Sequence, residues 1–302
     1  MKILIIGGNG FIGTNLSKYL ASKGNEVYSF DIVEPKIKDG NVRYIQGDFF
    51  DDNTLASVIK GMDIIYHALS TINPGNSNEK YMMGYSRDFI QTVKLFSMLQ
   101  NTDTKLIFLS SGGTVYGNQE VQPIAESATA RPINHYGNVK LCIENTLRIF
   151  SIQAKSKMII ARISNPYGPG QDYSKGVGFI DAVIKRTLSN ETIEIWGDGE
   201  VIRDYIYIDD VCKMLWALAK YEGEERIFNV SSCSGTSQNE IIEIVRSLNP
   251  DVKFEYKPGR SVDAKKMILD NSLIKTIYDE PIVNAEEGIV RYYEYQKSIL
   301  KI

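Results

Sequence analysis

The stretch KILIIGGNGFIG, residues 2–13, decides the fold that the sequence predicts. It opens with an apolar run typical of a buried strand, and three glycines follow before a helical pattern begins. Glycines at this spacing permit a tight turn, backbone approach to a pyrophosphate, and close packing of a helix on a strand. The helix N-terminus would direct its N–H groups at the phosphates, and a glycine-rich turn without a ligand is the alternative. The residues predicted to hold a dinucleotide here are Gly7, Gly10, Phe11, Ile12 and Gly13.

The rest of the first half alternates short β-rich runs with longer helical patterns. Predicted strands lie at 2–6, 26–31, 42–46, 63–68, 105–110 and 157–163, and predicted helices at 11–23, 52–60, 79–100 and 134–152. Strands that are apolar almost throughout, alternating with helices, indicate a parallel sheet covered on both faces. We therefore expect an α/β protein with a Rossmann-type, doubly wound parallel sheet and right-handed crossovers.

Beyond about residue 165 the regular alternation stops. The elements predicted there are a helix at 177–189, strands at 193–196, 204–208 and 227–231, and a helix at 238–248. The sequence Ser-Gln-Asn-Glu at 237–240 fits a capping box at the start of the last helix. The expected division is a Rossmann domain at 1–165, to which some later segments return, and a smaller α/β substrate-binding lobe at 166–302.

Composition and charge exclude several classes of function. The 302 residues are 43% hydrophobic and 24% charged, and the formal net charge of −3 predicts no binding to nucleic acid or an anionic membrane. Three cysteines without a CxxC spacing indicate a reducing compartment, which we expect to be the cytoplasm. Two histidines without an HExxH pattern predict no metal site. The N-terminal apolar run is too short and too broken by glycines for a membrane span, and it lacks the cleavage region of a signal peptide.

Residues at the ends of the next strands extend the predicted cofactor site. Asp31 ends the second strand, 18 residues after Gly13, where a carboxylate accepts hydrogen bonds from an adenosine ribose. Its charge would repel a 2′-phosphate and Ile32 follows it rather than an arginine, so NAD is favoured over NADP. A surface-turn aspartate is the alternative. The other predicted cofactor contacts are Asp48 and Phe49 after the third strand, and Ala68 and Leu69 after the fourth.

A tyrosine and a lysine are the strongest candidates for catalysis. Tyr136 and Lys140 stand four residues apart at the start of an amphipathic helix, so they share one face. A free phenol, with a pKa near 10, is a poor base at neutral pH. A neighbouring ammonium and an oxidised nicotinamide both favour the phenolate, and the lysine can also hydrogen-bond the nicotinamide ribose. A solvated helix face is the alternative for an isolated pair of this kind.

The motifs GGNGFIG, SSGGTVYG, YGNVK, NPYGPGQ and RDYIYIDD, with Asp31, resemble in this order the extended short-chain dehydrogenase/reductase family. The resemblance covers essentially the whole chain and is closest to NAD-dependent nucleotide-sugar epimerases of the UDP-glucose 4-epimerase type. It implies tightly held NAD, a UDP-sugar or related nucleotide sugar as the substrate, and inversion of C4 through a transient 4-keto intermediate with Tyr136 as acid/base. It also implies a homodimer formed through helices near 80–100 and 134–152.

The resemblance also implies which residues bind the substrate. Asn165 holds the place of an asparagine that contacts the sugar, and Trp196 falls where an aromatic ring packs on the base. Arg203 and Arg260 match a diphosphate clamp, and Asp263 matches a ribose-binding carboxylate. The alternatives are an asparagine that starts a turn, a core tryptophan and a surface Arg–Asp pair.

The sequence departs from the epimerase pattern at the predicted active-site wall. The epimerases carry a Ser or Thr four residues before the tyrosine of SSGGTVYG, and Gly112 stands at that position. Strand alternation predicts that Thr114 lies on the same side as Gly112, so Ser111, Thr114 or a water molecule is left to supply the hydroxyl. Sugar-nucleotide 4,6-dehydratases carry an Asp-Glu pair at the next two positions. Gly113 and Thr114 stand there, which argues against a dehydratase.

Two further departures lie close to the cofactor. Thr71 stands where some epimerases have a lysine, and Asp88 stands where an asparagine is usual. The proton relay is therefore less well defined by the sequence than the class of enzyme. A nucleotide-sugar reductase or dehydrogenase that releases NAD(H), and a non-catalytic NAD-binding regulator, are the alternatives to an epimerase.

Overall fold

The structure is a computed structural model that describes residues 1–154, 157–259 and 265–301. In chain order its strands are β1 (Lys2–Ile6), β2 (Glu26–Asp31), β3 (Val42–Gln46), β4 (Ile64–His67), β5 (Lys105–Ser111), β6 (Met158–Ile163), β7 (Asn165–Tyr167), β8 (Thr192–Trp196), β9 (Ile202–Tyr207), β10 (Ile227–Val230), β11 (Gly235–Ser237), β12 (Lys253–Lys257) and β13 (Lys266–Met267). The helices are α1 (Phe11–Ser22), α2 (Asp52–Ile59), α3 (Tyr81–Met83), α4 (Ile90–Leu99), α5 (Gly112–Val115), α6 (His135–Ala154), α7 (Phe179–Leu188), α8 (Ile208–Lys220), α9 (Gln238–Leu248) and α10 (Ala285–Leu300).

Seven parallel strands form the central sheet in the order β10-β6-β5-β4-β1-β2-β3. The six strands predicted in the first half all belong to it, so the Rossmann-type, doubly wound fold is confirmed. β10 returns from the second half of the chain and pairs with β6. β1 lies between β4 and β2, which places the turn after β1 where the strand order reverses and a crevice opens.

Alternation along the strands divides the apolar residues between two helical layers. Ile3 and Ile5 of β1 face the layer that contains α1 and α8, while Leu4 and Ile6 face the layer that contains α2, α4 and α6. Both faces of the sheet are therefore dry, which explains why its strands are apolar almost throughout.

The second half adds smaller sheets and three helices beyond the carboxyl ends of the central strands. β9 pairs with β7, β11 and β13, and β8 pairs with β12. α7, α9 and α10 pack over them around a separate apolar cluster that includes Ile180, Ile241 and Tyr292. Ser237 and Glu240 form the predicted capping box at the start of α9. The sequence analysis did not anticipate α8 or α10.

The predicted continuous helix at 79–100 is wrong in detail. α3 and α4 are joined by a π-helix at Gly84–Phe89, in which the backbone forms a wider turn. A Cβ on Gly84 would lie 2.4 Å from the Cδ1 atom of Ile72 and 3.0 Å from the Cγ2 atom of Val139, so the π-helix packs tightly on its neighbours. Across the described ranges, every helix is too short or too polar to cross a bilayer.

Candidate active site

The glycine-rich turn after β1 forms the first part of the site. Gly7 has a φ of +79°, and a Cβ on it would lie 2.8 Å from the backbone nitrogen of Leu69. A Cβ on Gly13 would lie 2.3 Å from the carbonyl oxygen of Gly7, so neither glycine tolerates a side chain without backbone movement. α1 begins at Phe11 with Gly10 as its N-cap residue and no capping side chain. Its first N–H groups are therefore available to an anion.

A cavity of about 360 Å³ opens beside this turn, and we call it the dinucleotide cavity. The predicted cofactor residues that line it are Gly7, Gly10, Asp31, Ile32, Asp48, Phe49, Ala68 and Leu69. Phe11 lines a neighbouring cavity, whereas Ile12 and Gly13 lie in the first turn of α1 and pack against the sheet and the turn. Thr71, which the sequence places close to the cofactor, also lines this cavity, and the lining residues that were not predicted include Asn9, Ser70, Arg87 and Lys175.

The polar groups of the dinucleotide cavity suit an adenosine ribose and a diphosphate. Asp31 accepts hydrogen bonds from the backbone nitrogens of Asn9 and Val33, each at 3.1 Å, which hold the carboxylate at the cavity wall. Each carboxylate oxygen keeps a lone pair for a ribose hydroxyl. The guanidinium carbon of Arg87 lies 4.1 Å from the ring centre of Phe50 and adds a cation at the rim. These residues fit a dinucleotide such as NAD.

α6 positions the predicted catalytic tyrosine against the end of β5. The Asn134 side chain accepts a hydrogen bond from the backbone nitrogen of Gly137 at 2.8 Å and thereby caps the helix. A Cβ on Gly137 would lie 2.5 Å from the carbonyl oxygen of Thr114, so α6 and α5 approach closely at this point. Tyr136 is thus held beside the segment that follows β5.

Lys140 lies one helical turn beyond Tyr136 and is buried. Its Nζ donates to the carbonyl oxygen of Leu109 at 3.0 Å and lies 5.6 Å from the centre of the Tyr136 ring. Burial lowers the pKa of Lys140 to about 8, although the carboxylates of Asp88 and Glu144 oppose this change. The predicted face shared by Tyr136 and Lys140 is therefore present, and on it Lys140 is buried while Tyr136 lines a cavity.

In the protein alone, the pKa of Tyr136 lies above the ordinary value of a phenol. Burial and the charge of Asp88 raise it to about 12, and a hydrogen bond with the Ser111 side chain acts to lower it. The sequence predicts a lowered pKa for Tyr136 beside both the ammonium of Lys140 and an oxidised nicotinamide, which concerns the protein with NAD bound. Burial is the largest influence in the protein alone, because it disfavours the charged phenolate.

The segment after β5 corrects the expectation that Gly112 and Thr114 share a side. β5 ends at Ser111 and a helical turn, α5, begins at Gly112, so strand alternation no longer applies. A Cβ on Gly112 would lie 2.2 Å from the Cδ1 atom of Leu269, away from the cavity that Ser111, Gly113 and Thr114 line. Ser111 and Thr114 both line the cavity beside Tyr136, and the Ser111 side chain acts to lower the pKa of Tyr136.

A buried ion pair lies one helical turn beyond Lys140 on α6. Glu144, two turns beyond Tyr136 on α6, binds Arg162 with 2.6 Å between Oε2 and Nη2, and it also accepts a hydrogen bond from Ser110. Both charged side chains are almost fully buried. The sequence analysis missed this group, although the four-residue spacing of Tyr136, Lys140 and Glu144 is visible in the sequence.

A second cavity, of about 370 Å³, opens beside Tyr136, and we call it the sugar cavity. Its lining includes Phe11, Ser111, Thr114, Tyr136 and Asn165. The Asn165 Nδ2 donates to the carbonyl oxygen of Asp204 at 2.9 Å. The described residues that line this cavity include no Asp, Glu, Lys or Arg.

A third cavity, of about 440 Å³, continues from the sugar cavity, and we call it the outer cavity. Val177, Gly178 and Phe179 line both. Trp196 and Arg203 line the outer cavity, and Trp196 is 43% exposed, so it is not a core residue. Arg260 and Asp263 lie outside the described residues.

A family model matches residues 3–231 of the chain and is described as the NAD dependent epimerase/dehydratase family. The chain belongs to this family. The expected kinship with nucleotide-sugar epimerases and the expected cofactor, NAD, are thereby confirmed.

Relatives and solved structures cover the chain almost completely. A dTDP-4-dehydro-6-deoxyglucose reductase of Escherichia coli is 30% identical over 95% of both chains. A UDP-glucose 4-epimerase of Halalkalibacterium halodurans is 28% identical over 97% of this chain and 94% of its own. The crystal structure of a UDP-glucose 4-epimerase of Thermotoga maritima with UDP-glucose has a TM-score of 0.93 and 29% identity, covering 99% of this chain and 100% of its own.

Proposed function

We propose that the chain is an NAD-dependent epimerase that inverts C4 of a nucleotide diphosphate sugar, with a UDP-hexose or a derivative as the substrate. The observation that carries this proposal is that Ser111 and Tyr136 line a sugar cavity whose described lining has no charged side chain, while the Nζ of Lys140 is buried 5.6 Å from the centre of the Tyr136 ring. Epimerisation requires the movement of one hydroxyl proton, which a phenol can perform. A 4,6-dehydratase requires additional carboxylic acids beside the sugar, and none lines the described part of this cavity.

The residues have distinct roles in the proposed reaction. When bound in the dinucleotide cavity, NAD would take up hydride from the sugar and return it. Tyr136 would accept the proton of the C4 hydroxyl and later return it, and the Ser111 hydroxyl would hydrogen-bond both oxygens. The pKa of Tyr136, about 12 in the protein alone, would fall beside the positive charge of an oxidised nicotinamide. Lys140 would stabilise the phenolate as an ammonium.

The outer cavity would hold the nucleotide part of the substrate. We propose that Trp196 packs on the base and that Arg203 binds the diphosphate, because both side chains line a cavity continuous with the sugar cavity. Asn165 would contact the sugar, and Arg260 and Asp263 stay as predicted substrate contacts. In this proposal residues 1–165 bind the dinucleotide and residues 166–302 bind the nucleotide sugar, while β10 and α8 return to the first domain.

The test is a product analysis across a panel of sugars. Purified protein with NAD is incubated with UDP-glucose, UDP-N-acetylglucosamine and UDP-glucuronate, and the products are identified by NMR. We expect a C4-inverted sugar from at least one substrate and no net change in NADH absorbance. A panel without any C4-inverted product would overturn the proposal, and NAD binding without any product would favour a regulator.

A nucleotide-sugar reductase is the second candidate. The Escherichia coli relative, 30% identical over nearly the whole chain, is named as a dTDP-4-dehydro-6-deoxyglucose reductase. A reductase of a 4-keto sugar would use the same tyrosine as a proton donor. It would consume NADH stoichiometrically and release NAD⁺, whereas an epimerase regenerates its cofactor within each turnover.

We also propose a homodimer that forms through α4 and α6. Ile90 on α4 and Ile149 and Ile152 on α6 expose apolar side chains, and Tyr81 and Met82 of α3 add to the same helical layer. A second copy would cover this surface.

The three free cysteines are consistent with the proposed cytoplasmic location.

A further inference from the structure

Asp88 lies in the π-helix Gly84–Phe89 and is only 3% exposed. It belongs neither to the lining of the dinucleotide cavity nor to that of the sugar cavity. The π-helix packs against the segment after β4 and against α6, which carry the walls of these two cavities. A π-helical turn often marks a functional site. This buried carboxylate therefore lies between the two cavities without lining either of them.

Both oxygens of Asp88 bind the turn that follows β4. Oδ2 accepts hydrogen bonds from the Ser70 hydroxyl and from the backbone nitrogen of Thr71, each at 2.8 Å. Oδ1 accepts a hydrogen bond from the Thr71 hydroxyl at 2.7 Å. Ser70 and Thr71 line the dinucleotide cavity, so the carboxylate holds part of its wall in place.

The charge of Asp88 also reaches the two predicted catalytic residues. It acts to raise the pKa of both Tyr136 and Lys140, second in each case to the effect of burial. Lys140 is buried and makes no ion pair within 4 Å with any residue that the structure describes. A buried ammonium needs a compensating charge.

Two other titratable groups, Glu144 and His67, pack near Asp88 and Lys140. Glu144 on α6 is paired with Arg162, and its charge also acts to raise the pKa of Lys140, less than that of Asp88 does. His67 on β4 has its pKa lowered to about 3 by burial and the charge of Lys140, and is therefore neutral. Asp88 is thus the carboxylate near Lys140 without a cationic partner among the described residues.

We propose that Asp88 is a positioning residue, whose carboxylate holds the Ser70–Thr71 turn against the dinucleotide cavity and whose charge balances the buried ammonium of Lys140 beside Tyr136. The first role concerns cofactor binding, and the second concerns the proton affinity of Tyr136. The significance of the second role for turnover rests on the proposed function. Both roles are separable, because different substitutions remove them.

The substitution Asp88→Asn tests the charge with little change of shape. The amide oxygen can still accept from Ser70 and from the Thr71 backbone, and the amide nitrogen can donate to the Thr71 hydroxyl. In NAD⁺-loaded protein, tyrosinate absorbance is followed against pH, and the curve of the matching Tyr136→Phe variant is subtracted. We expect the transition of Tyr136 to move to lower pH by about one unit. The exposed Asp103→Asn, which removes the same charge at a distance, should leave the transition unchanged.

The substitution Thr71→Val tests the clamp while it leaves the charge in place. We expect the dissociation constant for NAD⁺, measured by calorimetry, to rise about 3- to 10-fold, since one hydrogen bond to the carboxylate is lost. The titration of Tyr136 should not move. An unchanged affinity in Thr71→Val overturns the clamp, and an unmoved transition in Asp88→Asn overturns the charge balance.

Neither measurement includes a sugar. A shift of the Tyr136 transition in a protein that epimerises nothing would support the role of Asp88 and reject the proposed function. An active epimerase in which Asp88→Asn leaves the Tyr136 transition in place would support the proposed function and reject the role of the Asp88 charge. If Asp88→Asn does not fold, the affinity of Thr71→Val still decides whether the carboxylate holds the turn.

Discussion

At the scale of single residues, burial determines the chemistry of the site more than sequence spacing does. Tyr136 and Lys140 stand at the spacing that the sequence analysis recognised. Burial nevertheless raises the pKa of Tyr136 and lowers the pKa of Lys140, so that the neutral form of each side chain is favoured. Ser111 stands one position before Gly112, where the resemblance would place the hydroxyl, and nevertheless lines the same cavity as Tyr136. The point at which β5 ends and α5 begins determines which of these residues face the cavity, and a count of positions along the chain does not.

Substitution of Tyr136 by phenylalanine tests its proposed role. Removal of the hydroxyl should reduce kcat about 10²- to 10⁴-fold, since the variant lacks the group that transfers the proton. The affinity for NAD⁺ should change little because the ring remains. Tyr85→Phe is the matched control: the Tyr85 hydroxyl bonds Asn138 at 2.8 Å and lies outside the cavity lining, so its kcat should stay within a few-fold of wild type. Equal losses in both variants would contradict the assignment.

His67 makes the protein sensitive to acid. Thr92 donates its proton to the carbonyl oxygen of Asp88, so the Nε2 of His67 donates to the Thr92 hydroxyl at 2.8 Å. The Nδ1 atom has no partner among the described residues and lies near the rings of Phe49 and Phe108. Burial therefore lowers the pKa of His67 to about 3.

The consequence for stability follows from the sign of this shift. Because the folded pKa lies below the unfolded value of about 6.5, only the unfolded state gains the proton as pH falls from about 6.5 toward 3. The free energy of unfolding should thus fall by about 2 kcal/mol more in wild type than in His67→Phe between about pH 7 and pH 5. Urea unfolding at both pH values measures it. Identical pH dependence in the two proteins would count against a neutral, buried His67.

At the scale of secondary-structure elements, close contacts between backbones shape the site. Gly13 lets α1 approach the turn after β1, Gly137 lets α6 approach α5, and Gly84 lets the π-helix approach α6. Each contact brings together two elements that carry the walls of a cavity. The sequence analysis recognised the first of these glycines because it belongs to a known spacing, and it missed the other two because their partners are distant in sequence.

The turn before α1 can be tested with an alanine. A Cβ on Gly13 would meet backbone atoms of Gly7 and Gly8 at 2.3 and 2.7 Å, which cannot move aside as a flexible side chain would. Gly13→Ala should destabilise the protein by about 1–3 kcal/mol and weaken NAD⁺ binding. Gly40→Ala, where no atom lies within 4 Å of the added Cβ, should change stability by less than about 0.5 kcal/mol. Calorimetric unfolding and NAD⁺ titration of both variants provide the comparison, and equal behaviour would show that the contact is relieved elsewhere.

At the scale of the whole molecule, the sugar and outer cavities share part of their lining, and the dinucleotide cavity lies next to them, with Gly10 in its wall and Phe11 in the wall of the sugar cavity. The dinucleotide cavity lies at the carboxyl ends of the central strands, and the sugar and outer cavities lie where the later segments pack over them. Phe11 of α1 and Tyr205 of β9 both line the sugar cavity, so both halves of the chain build it. The proposed transfer of hydride between a dinucleotide and a nucleotide sugar requires that their cavities lie side by side.

The proposed dimer can be tested at its helical surface. Ile149 and Ile152 are 50% and 76% exposed on α6. In the double variant Ile149→Glu/Ile152→Glu, four charges would face one another across a two-fold interface, so light scattering after gel filtration should report a monomer. Ile299→Glu on α10, where the isoleucine is 54% exposed, is the control and should stay dimeric. A monomeric wild type would reject the dimer.

The parallel sheet, the glycine-rich turn, the place of Asp31 and the pairing of Tyr136 with Lys140 can all be predicted from the order of residues alone. These features depend on periodicity and on spacings within one strand–turn–helix unit, so local patterns carry them. Only the tertiary structure decided that Gly112 faces Leu269, that Asp88 holds Thr71, and that Glu144 is paired with Arg162. These contacts join segments far apart in the chain, and their distances depend on how helices and strands pack.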